Sequence, residues 1–438
     1  MSKVIERGEL SSVVAGMVAA QPVADLHTHL YSPVFGTPVA NASGQTDAKG
    51  LLLWGVDELL TYHYLIAEVF RVVPASQLPY EQFWKMSKRQ QADHIWKNLF
   101  VERSPVSEAC RSVLTALQRL GLDVSSRTLD EARRYFAGQD VSGHIDKVMR
   151  VAGVERLTMT NEVFDENERG RWLANPNIGA DERFRAVVRI DLMLKDWPTA
   201  AKKLTQWGYP AAGVPDEASI KQAMRFLTDW IGRTKAIYLA VSLPPEFRYP
   251  AGDVPADRTG QTLLEKAVLP VCAQRGLPLA MMIGATRGAN KALGDAGDMV
   301  GRADVSSVIR LCSGFPKNKV MVTMLSRENQ HKLCIAARKF GNVMLFGCWW
   351  FLNNPSLIEE MTRMRMETLG TSFIPQHSDA RILEQIIYKW HHSRRVIAKV
   401  LTDKYADLLA TGWKLTEDDV KTDVDRLLRS NFLGFLKQ

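Results

Sequence analysis

Eight short runs of β-forming residues recur along the chain, most of them separated by stretches with the apolar spacing of helices. The runs are PVADLHTHL from Pro22, VERLTMT from Val154, FRAVVRID from Phe184, AIYLAVSL from Ala236, LPLAMMIG from Leu277, KVMVTML from Lys319, NVMLFGC from Asn342 and TSFIPQH from Thr371. Strands that alternate with helices form parallel sheets. Eight of them over 438 residues favour a closed (β/α)8 barrel of the TIM type over a doubly wound open sheet.

The long gap between the first two runs contains segments with helical apolar spacing, YEQFWKMSKRQQADHIWKNLF and SEACRSVLTALQRLGL. They predict an inserted helical subdomain, residues 58–150, within a single barrel domain that spans residues 1–438. The glycine-rich residues 36–50 predict a flexible loop near the mouth of the barrel. Two amphipathic segments after the eighth run predict closing helices.

The amino-acid composition is typical of a globular protein and argues against several classes of binding partner. Apolar residues make up 46% and charged residues 24%, so the chain can bury a large core. The net charge of +8 is spread among acidic residues without a basic run, so we expect no nucleic-acid partner. The five cysteines lack CxxC spacing and predict reduced thiols. The acidic start MSKVIERGEL, together with the lack of an apolar run of about 20 residues, predicts a cytoplasmic protein that does not bind membranes.

Side chains of types that bind metals stand near the ends of the first and eighth runs. His27 and His29 stand two apart, and the period of a strand sends both imidazoles to the barrel interior. Asp379 follows the eighth run. Because active sites of such barrels lie at the carboxyl ends of the strands, these three residues predict a metal site. Two neutral imidazoles and one carboxylate suit a divalent ion, with zinc as the first choice, and leave positions for a substrate.

The other strand ends offer no second metal site. Hydrolases of this architecture that hold two metals need a bridging lysine or acid on the fourth strand and further histidines on the fifth and sixth. Here those strand ends read AVSL, MMIG and MLSR. The sequence therefore predicts a single metal.

Arginines form a second pattern at the same face of the predicted barrel. Arg189 ends the third run, whereas Arg287 and Arg327 follow the fifth and sixth. Arg381 stands two residues after Asp379. Guanidinium groups hold carboxylates and hydroxyls through charge-assisted hydrogen bonds. Four of them at one face predict a small polar anion as the substrate.

With these residues assembled, the chain resembles the uronate (glucuronate) isomerase family of the amidohydrolase superfamily, from about Pro22 to the C-terminus. The segments that carry the resemblance are residues 27–29 for the family's HxH, 63–64 for its GDHY-type segment, 188–191 for FRPD, 283–285 for IGA, 349–351 for WWF and 378–381 for TDSR. The last two are the more specific, since tryptophan is rare. TNEV at residues 160–163 replaces TDDP, and Met282 replaces a histidine, which indicates a divergent branch.

The resemblance implies a homo-oligomeric enzyme of hexuronate catabolism that interconverts an aldohexuronate and a ketohexuronate, such as D-glucuronate and D-fructuronate or D-galacturonate and D-tagaturonate. A proton would move between C2 and C1 through an enediol, which needs a base, positive charge near the oxygens and a clamp for the carboxylate. We assign the proton transfer to His63 and Tyr64, and to Asp379 as both metal ligand and acceptor of a hydroxyl proton. Trp350 would line the pocket beside the four arginines.

Two other functions and one structural interpretation stay open. A mononuclear metallohydrolase would use the same histidines and aspartate to activate water, but the clustered arginines argue against it. Met282 and Glu162, which replace family residues, suggest a catalytically inactive sugar-acid-binding protein, but the intact metal-binding residues argue against that. His63 could also be a structural residue of an amphipathic helix.

Overall fold

A curved sheet of parallel strands forms the centre of the computed structural model, which describes residues 3–175 and 177–437. Within these residues the sheet has seven strands, which lie side by side in the order in which they occur along the chain. The strands are β1 Val23–Thr28, β2 Val154–Asn161, β3 Phe184–Arg189, β4 Leu239–Leu243, β5 Leu279–Ile283, β8 Val320–Met324 and β9 Val343–Leu345. Two further strands, β6 Ala285–Thr286 and β7 Met299–Val300, pair with each other in an antiparallel ladder directly after β5.

The eighth predicted strand closes the sheet without becoming a regular strand, which corrects the sequence prediction. On one side, Gly347 N donates to the oxygen of Ile374 and Ile374 N donates to the oxygen of Leu345. On the other side, His29 N donates to Ala380 O at 2.7 Å, and Asp379 N donates to His27 O at 3.1 Å.

Two residues explain why the ladder is so short. Pro375 has no N–H to donate, and Asp379 has a φ of +51°, outside the extended region. The predicted fold class, a (β/α)8 barrel of the TIM type, is nevertheless confirmed.

Helices surround the sheet and fill the gap between its first two strands. The gap contains α2 Val56–Leu60, α3 His63–Val72, α4 Tyr80–Lys85, α5 Lys88–Trp96, α6 Glu108–Arg119, α7 Asp130–Ala137 and α8 Val141–Ala152. The other helices are α1 Leu10–Ala20, α9 Glu166–Ala174, α10 Asp191–Lys195, α11 Trp197–Gln206, α12 Glu217–Thr234, α13 Pro255–Leu263, α14 Leu269–Arg275, α15 Val305–Gly314, α16 Gln330–Ala337, α17 Pro355–Leu369, α18 Gln385–Ala410, α19 Glu417–Asp425 and α20 Asn431–Lys437. The division into a barrel, a subdomain and a flexible loop stays a prediction.

Alternate residues of each strand face the two sides of the barrel wall. In β4, Leu239 and Val241 belong to the large core between sheet and helices, whereas Ala240 packs inside the barrel. Phe432 and Phe435 of α20 pack with these inner residues. Bulky side chains therefore fill the barrel interior, as is usual for this fold, and the chemistry is left to the rim where the strands end.

The described part of the chain contains no helix that is long and apolar enough to cross a bilayer.

Candidate active site

Three side chains at the rim form a group that fits a metal ion. His27 lies at the end of β1, His29 follows it, and Asp379 lies in the irregular closing segment. Their ligand atoms lie within 4.8 Å of one another, and Asp379 Oδ1 is 3.6 Å from His27 Nε2 and 3.4 Å from His29 Nε2. His27 Nε2 and Asp379 Oδ1 are buried without a hydrogen-bond partner within residues 3–175 and 177–437. Because orphaned buried polar atoms are costly, a shared cation accounts for this arrangement.

The protonation states of this group match those of metal ligands. Burial lowers the pKa of His27 well below its usual value and also lowers that of His29, so both imidazoles are neutral near pH 7. Burial alone would raise the pKa of Asp379, but the close approach of His29, together with the neighbouring His27 and His377, holds it below its usual range. Two neutral imidazoles and a carboxylate are the ligand set of a divalent ion.

Residues behind the metal group hold it in place. Asp25, fully buried, accepts hydrogen bonds from Ser378 N at 3.1 Å and from Trp390 Nε1 at 2.8 Å, which ties β1 to the segment that carries Asp379. Burial raises the pKa of Asp25 to about 6. Thr160 Oγ1 lies 3.1 Å from His29 Nδ1. Such outer partners fix the orientation of ligands.

His63 and Tyr64, the two residues predicted to move the proton, are placed differently. His63 begins α3 and lines the same cavity as the metal group. Burial lowers its pKa to about 3, so the ring is neutral near pH 7, and its Nε2 has no partner in the described part of the chain. The Tyr64 ring lies 4.4 Å from the His63 ring, but Tyr64 does not line the cavity. Burial raises its pKa well above the usual value.

Three of the four predicted arginines line the cavity, and each is held by a carboxylate. Arg189 Nη2 donates to Asp191 Oδ1 at 2.9 Å, and Glu162 lies 3.6 Å from Arg189 Nε. Burial would lower the pKa of Arg189, but these two acids raise it above its usual range. Burial also raises the pKa of Glu162 to about 7, although Arg189 opposes this shift.

The other two arginines of the cavity are paired with acidic residues that were not predicted from the sequence. Arg287 pairs with Asp298, and its guanidinium lies 5.4 Å from the centre of the Trp350 ring. Arg381 Nη1 donates to Asp295 Oδ2 at 2.8 Å. Both acids lie in KALGDAGDM, which follows β5. Because active sites of such barrels lie where the strands end, this position could have predicted that the two acids lie near the site.

Arg327 is not brought to this cavity. Its side chain is 58% exposed, and its Nε donates to Glu360 Oε2 at 3.0 Å. Arg327 lies in the short turn Arg327–Asn329 after β8, and its side chain lies with α17 at the surface. Position after a strand end therefore did not fix the direction of this side chain.

An aromatic wall completes the cavity. Trp350 has a φ of +48°, a conformation that is rare for a bulky residue, and its ring lies 5.5 Å from that of His63. Trp349 and Tyr62 line the cavity as well, and so does Met282. Backbone outliers of this kind concentrate at functional sites, and here both Trp350 and Asp379 adopt one.

Comparison with known proteins gives one family. Neither models of protein families nor curated protein sequences match the chain. A solved structure of an uronate isomerase from Bacillus halodurans is 50% identical, with a TM-score of 0.91 over 100% of this chain and 98% of that one. An uronate isomerase from Thermotoga maritima has 14% identity and a TM-score of 0.76 over 99% and 98% of the two chains.

A glucuronate isomerase from Caulobacter crescentus has 14% identity and a TM-score of 0.73, covering 98% of this chain and 94% of its own. Similarities at 14% identity support the fold alone. The full-length match at 50% identity goes further, because half of all residues recur in the same order on the same barrel. This chain therefore belongs to the uronate isomerase family.

Proposed function

We propose that the chain is an aldose-ketose isomerase that interconverts an aldohexuronate and a ketohexuronate, with D-glucuronate and D-fructuronate or D-galacturonate and D-tagaturonate as the candidate pairs. The observation that carries the proposal is one cavity lined by a His-His-Asp group and three arginines. A hexuronate presents a carboxylate for guanidinium groups at one end and a carbonyl and hydroxyl at the other. The family membership supports the same reaction.

One divalent ion, with zinc as the first choice, would be held by His27, His29 and Asp379. Such an ion supplies positive charge beside the substrate oxygens that become negative during the reaction. Arg189, Arg287 and Arg381 would bind the carboxylate and remote hydroxyls. With the substrate anchored at both ends, the C1–C2 unit is held beside the side chains that exchange protons with it.

The proton transfer needs a neutral base that faces the substrate. His63 meets this requirement, because burial keeps its imidazole neutral and it lines the cavity. A base with a pKa of about 3 is weak, but negative charge that develops beside it in the enediol would raise that pKa during the transfer. Asp379 is proposed to accept the hydroxyl proton. Tyr64, whose ring contacts that of His63 edge-to-face, would take part in the transfer only through His63.

A proton NMR time course with glucuronate and with galacturonate, run with and without a chelator, tests the substrate, the reaction and the need for a metal together. We expect ketose signals only without the chelator. In heavy water, proton transfer through His63 would place deuterium at C1 of the ketose. Ketose that stays wholly free of deuterium through many turnovers would contradict the proton route, and hydrolysis of a lactone without ketose formation would favour the metallohydrolase.

A further inference from the structure

The ring of His63 is packed among aromatic side chains. Its centre lies 4.0 Å from that of Tyr62, 4.4 Å from that of Tyr64 and 5.5 Å from that of Trp350. His63 Nε2 is buried and has no hydrogen-bond partner within residues 3–175 and 177–437. A general base is commonly oriented by a third group that hydrogen-bonds to it. The orientation of this imidazole depends instead on the rings around it.

Tyr64 connects His63 to helix α18. The Tyr64 ring meets the His63 ring at 83°, and its hydroxyl is buried without a hydrogen-bond partner in the described part of the chain. Lys389 of α18 reaches the same ring, because its Nζ lies 5.8 Å from the ring centre of Tyr64 and 5.8 Å from that of Tyr388. Both distances fall within the range of about 6 Å over which an aromatic ring attracts an ammonium group. The ammonium of Lys389 therefore links α18 to α3.

The burial of Lys389 destabilises the fold. The residue is 2% exposed, and its Nζ has no hydrogen-bond partner within residues 3–175 and 177–437. Burial lowers the pKa of Lys389 to about 8, although the charges of Asp379, Asp25 and Glu108 raise it against that effect, so the ammonium form prevails at pH 7. A buried charge without a hydrogen-bonded partner is costly, whereas an apolar side chain of similar length is not. Stability alone does not account for a lysine at this position.

The backbone at Lys389 is anchored to the closing segment and to β1. Ser393 Oγ donates to Lys389 O at 2.6 Å, and Gln376 Nε2 donates to Ser393 Oγ at 3.0 Å. The next residue, Trp390, donates from Nε1 to Asp25 Oδ2 at 2.8 Å. Among the residues that the structure describes, those that line the cavity do not include Lys389. Lys389 is thus held in a fixed place, from which it can affect the cavity only through its neighbours.

We propose that Lys389 is a positioning residue for proton transfer: its ammonium attracts the ring of Tyr64 and fixes that ring against His63, so that the imidazole keeps one orientation in the wall of the cavity. A catalytic group that is displaced by about 1 Å can lose about a hundredfold in rate. A residue that holds the base in place therefore raises kcat without contact with the substrate. The inference rests on the proposed function for the role of His63 as the base.

Lys389→Met tests the proposal, because methionine has a similar length and no charge. In metal-loaded protein, with glucuronate or galacturonate as the substrate, we expect kcat to fall by at least about tenfold and KM to change by less than about twofold. Urea unfolding should give a midpoint equal to or higher than that of the parent, because the buried charge is gone. A purely structural role would show the opposite pattern, a lower midpoint with kcat retained.

Two variants of Tyr64 show whether Lys389 acts through the ring. Tyr64→Phe keeps the ring face, so adding Lys389→Met to it should lower kcat by about as much as in the parent. Tyr64→Leu removes the ring, so adding Lys389→Met to it should change kcat by less than about twofold. A proton relay through the Tyr64 hydroxyl would instead abolish the effect of Lys389→Met already in the Tyr64→Phe background.

Lys399→Met is the matched control, since Lys399 lies on the same helix but is exposed and pairs with Glu359. It makes the same chemical change and should leave kcat unchanged. A second measurement does not depend on turnover: the NMR signals of the side chains in protein labelled with carbon-13 histidine, where the His63 signal is the one that His63→Gln removes. This signal should shift and broaden in Lys389→Met but not in Lys399→Met.

The outcomes separate this inference from the proposed function. An unchanged kcat in Lys389→Met, a loss of kcat that persists in the Tyr64→Leu background or disappears in the Tyr64→Phe background, or an unchanged His63 signal would each overturn the positioning role. If the parent protein isomerises neither uronate while the His63 signal still responds to Lys389→Met, the proposed function is rejected and the control of the His63 ring by Lys389 is retained.

Discussion

His27 and Asp379 are buried polar residues whose ligand atoms have no hydrogen-bond partner in the described part of the chain. Their burial destabilises the folded protein unless a cation binds between them. We predict that the double variant His27→Ala/His29→Ala loses bound divalent metal while its circular dichroism stays like that of the parent, because both residues lie at the rim and not in the packed layers. Elemental analysis of the purified protein measures the metal. His331→Ala, at an exposed histidine, is the control. Near-stoichiometric metal in the double variant would contradict the assignment.

The residues of this site differ in how far the sequence could predict them. His27, His29 and Asp379 were predictable, because each lies at or just after the end of a predicted strand and carries a typical metal-binding group. Asp25 was not, since an acid inside an apolar strand gives no sign of which donors it meets; only the fold brings Ser378 and Trp390 to it.

At the scale of the element, the closing segment between β9 and β1 depends on a close approach. Gly347 has a φ of +66°, and a Cβ there would lie 1.7 Å from His377 Nδ1. We predict that Gly347→Ala destabilises the protein by about 2 kcal/mol or more, because both the backbone and the buried ring must shift. Urea unfolding measures the loss. Gly341→Ala, at a site with open space around the added methyl, should change stability by less than about 0.5 kcal/mol.

The strands themselves were predictable to different degrees. β1, β3, β4, β5, β8 and β9 lie within the predicted runs, and β2 extends one residue beyond its run, to Asn161. They were predictable because buried parallel strands are nearly continuous apolar segments. TSFIPQH was predicted as a strand, yet Pro375 and the left-handed Asp379 leave it with few ladder bonds. The short β6–β7 ladder was not predicted, since two-residue strands carry no periodicity.

For the whole molecule, buried neutral histidines make the free energy of unfolding depend on pH in the acidic range. Burial lowers the pKa of His63 to about 3 and that of His377 to about 4, whereas an unfolded chain binds those protons near pH 6.5. Between these values the unfolded state holds more protons than the folded state, so stability falls as the pH falls. Each such histidine contributes a slope of at most about 1.4 kcal/mol per pH unit. Above pH 6.5 this dependence disappears.

We therefore predict that His63→Gln flattens the decline in the free energy of unfolding between pH 6.5 and pH 4.5, because glutamine cannot take up the proton that unfolding offers to His63. Urea unfolding at several pH values, on metal-loaded protein, measures the slope. Release of metal in acid adds a further slope, but it does so in the parent and in the variant alike, so the difference between the two isolates His63. His331→Gln, at the exposed histidine, should keep the parent slope. Identical slopes in the parent and His63→Gln would mean that His63 is as easily protonated in the folded protein as in the unfolded chain, and the neutral imidazole required for proton transfer would lose its physical basis.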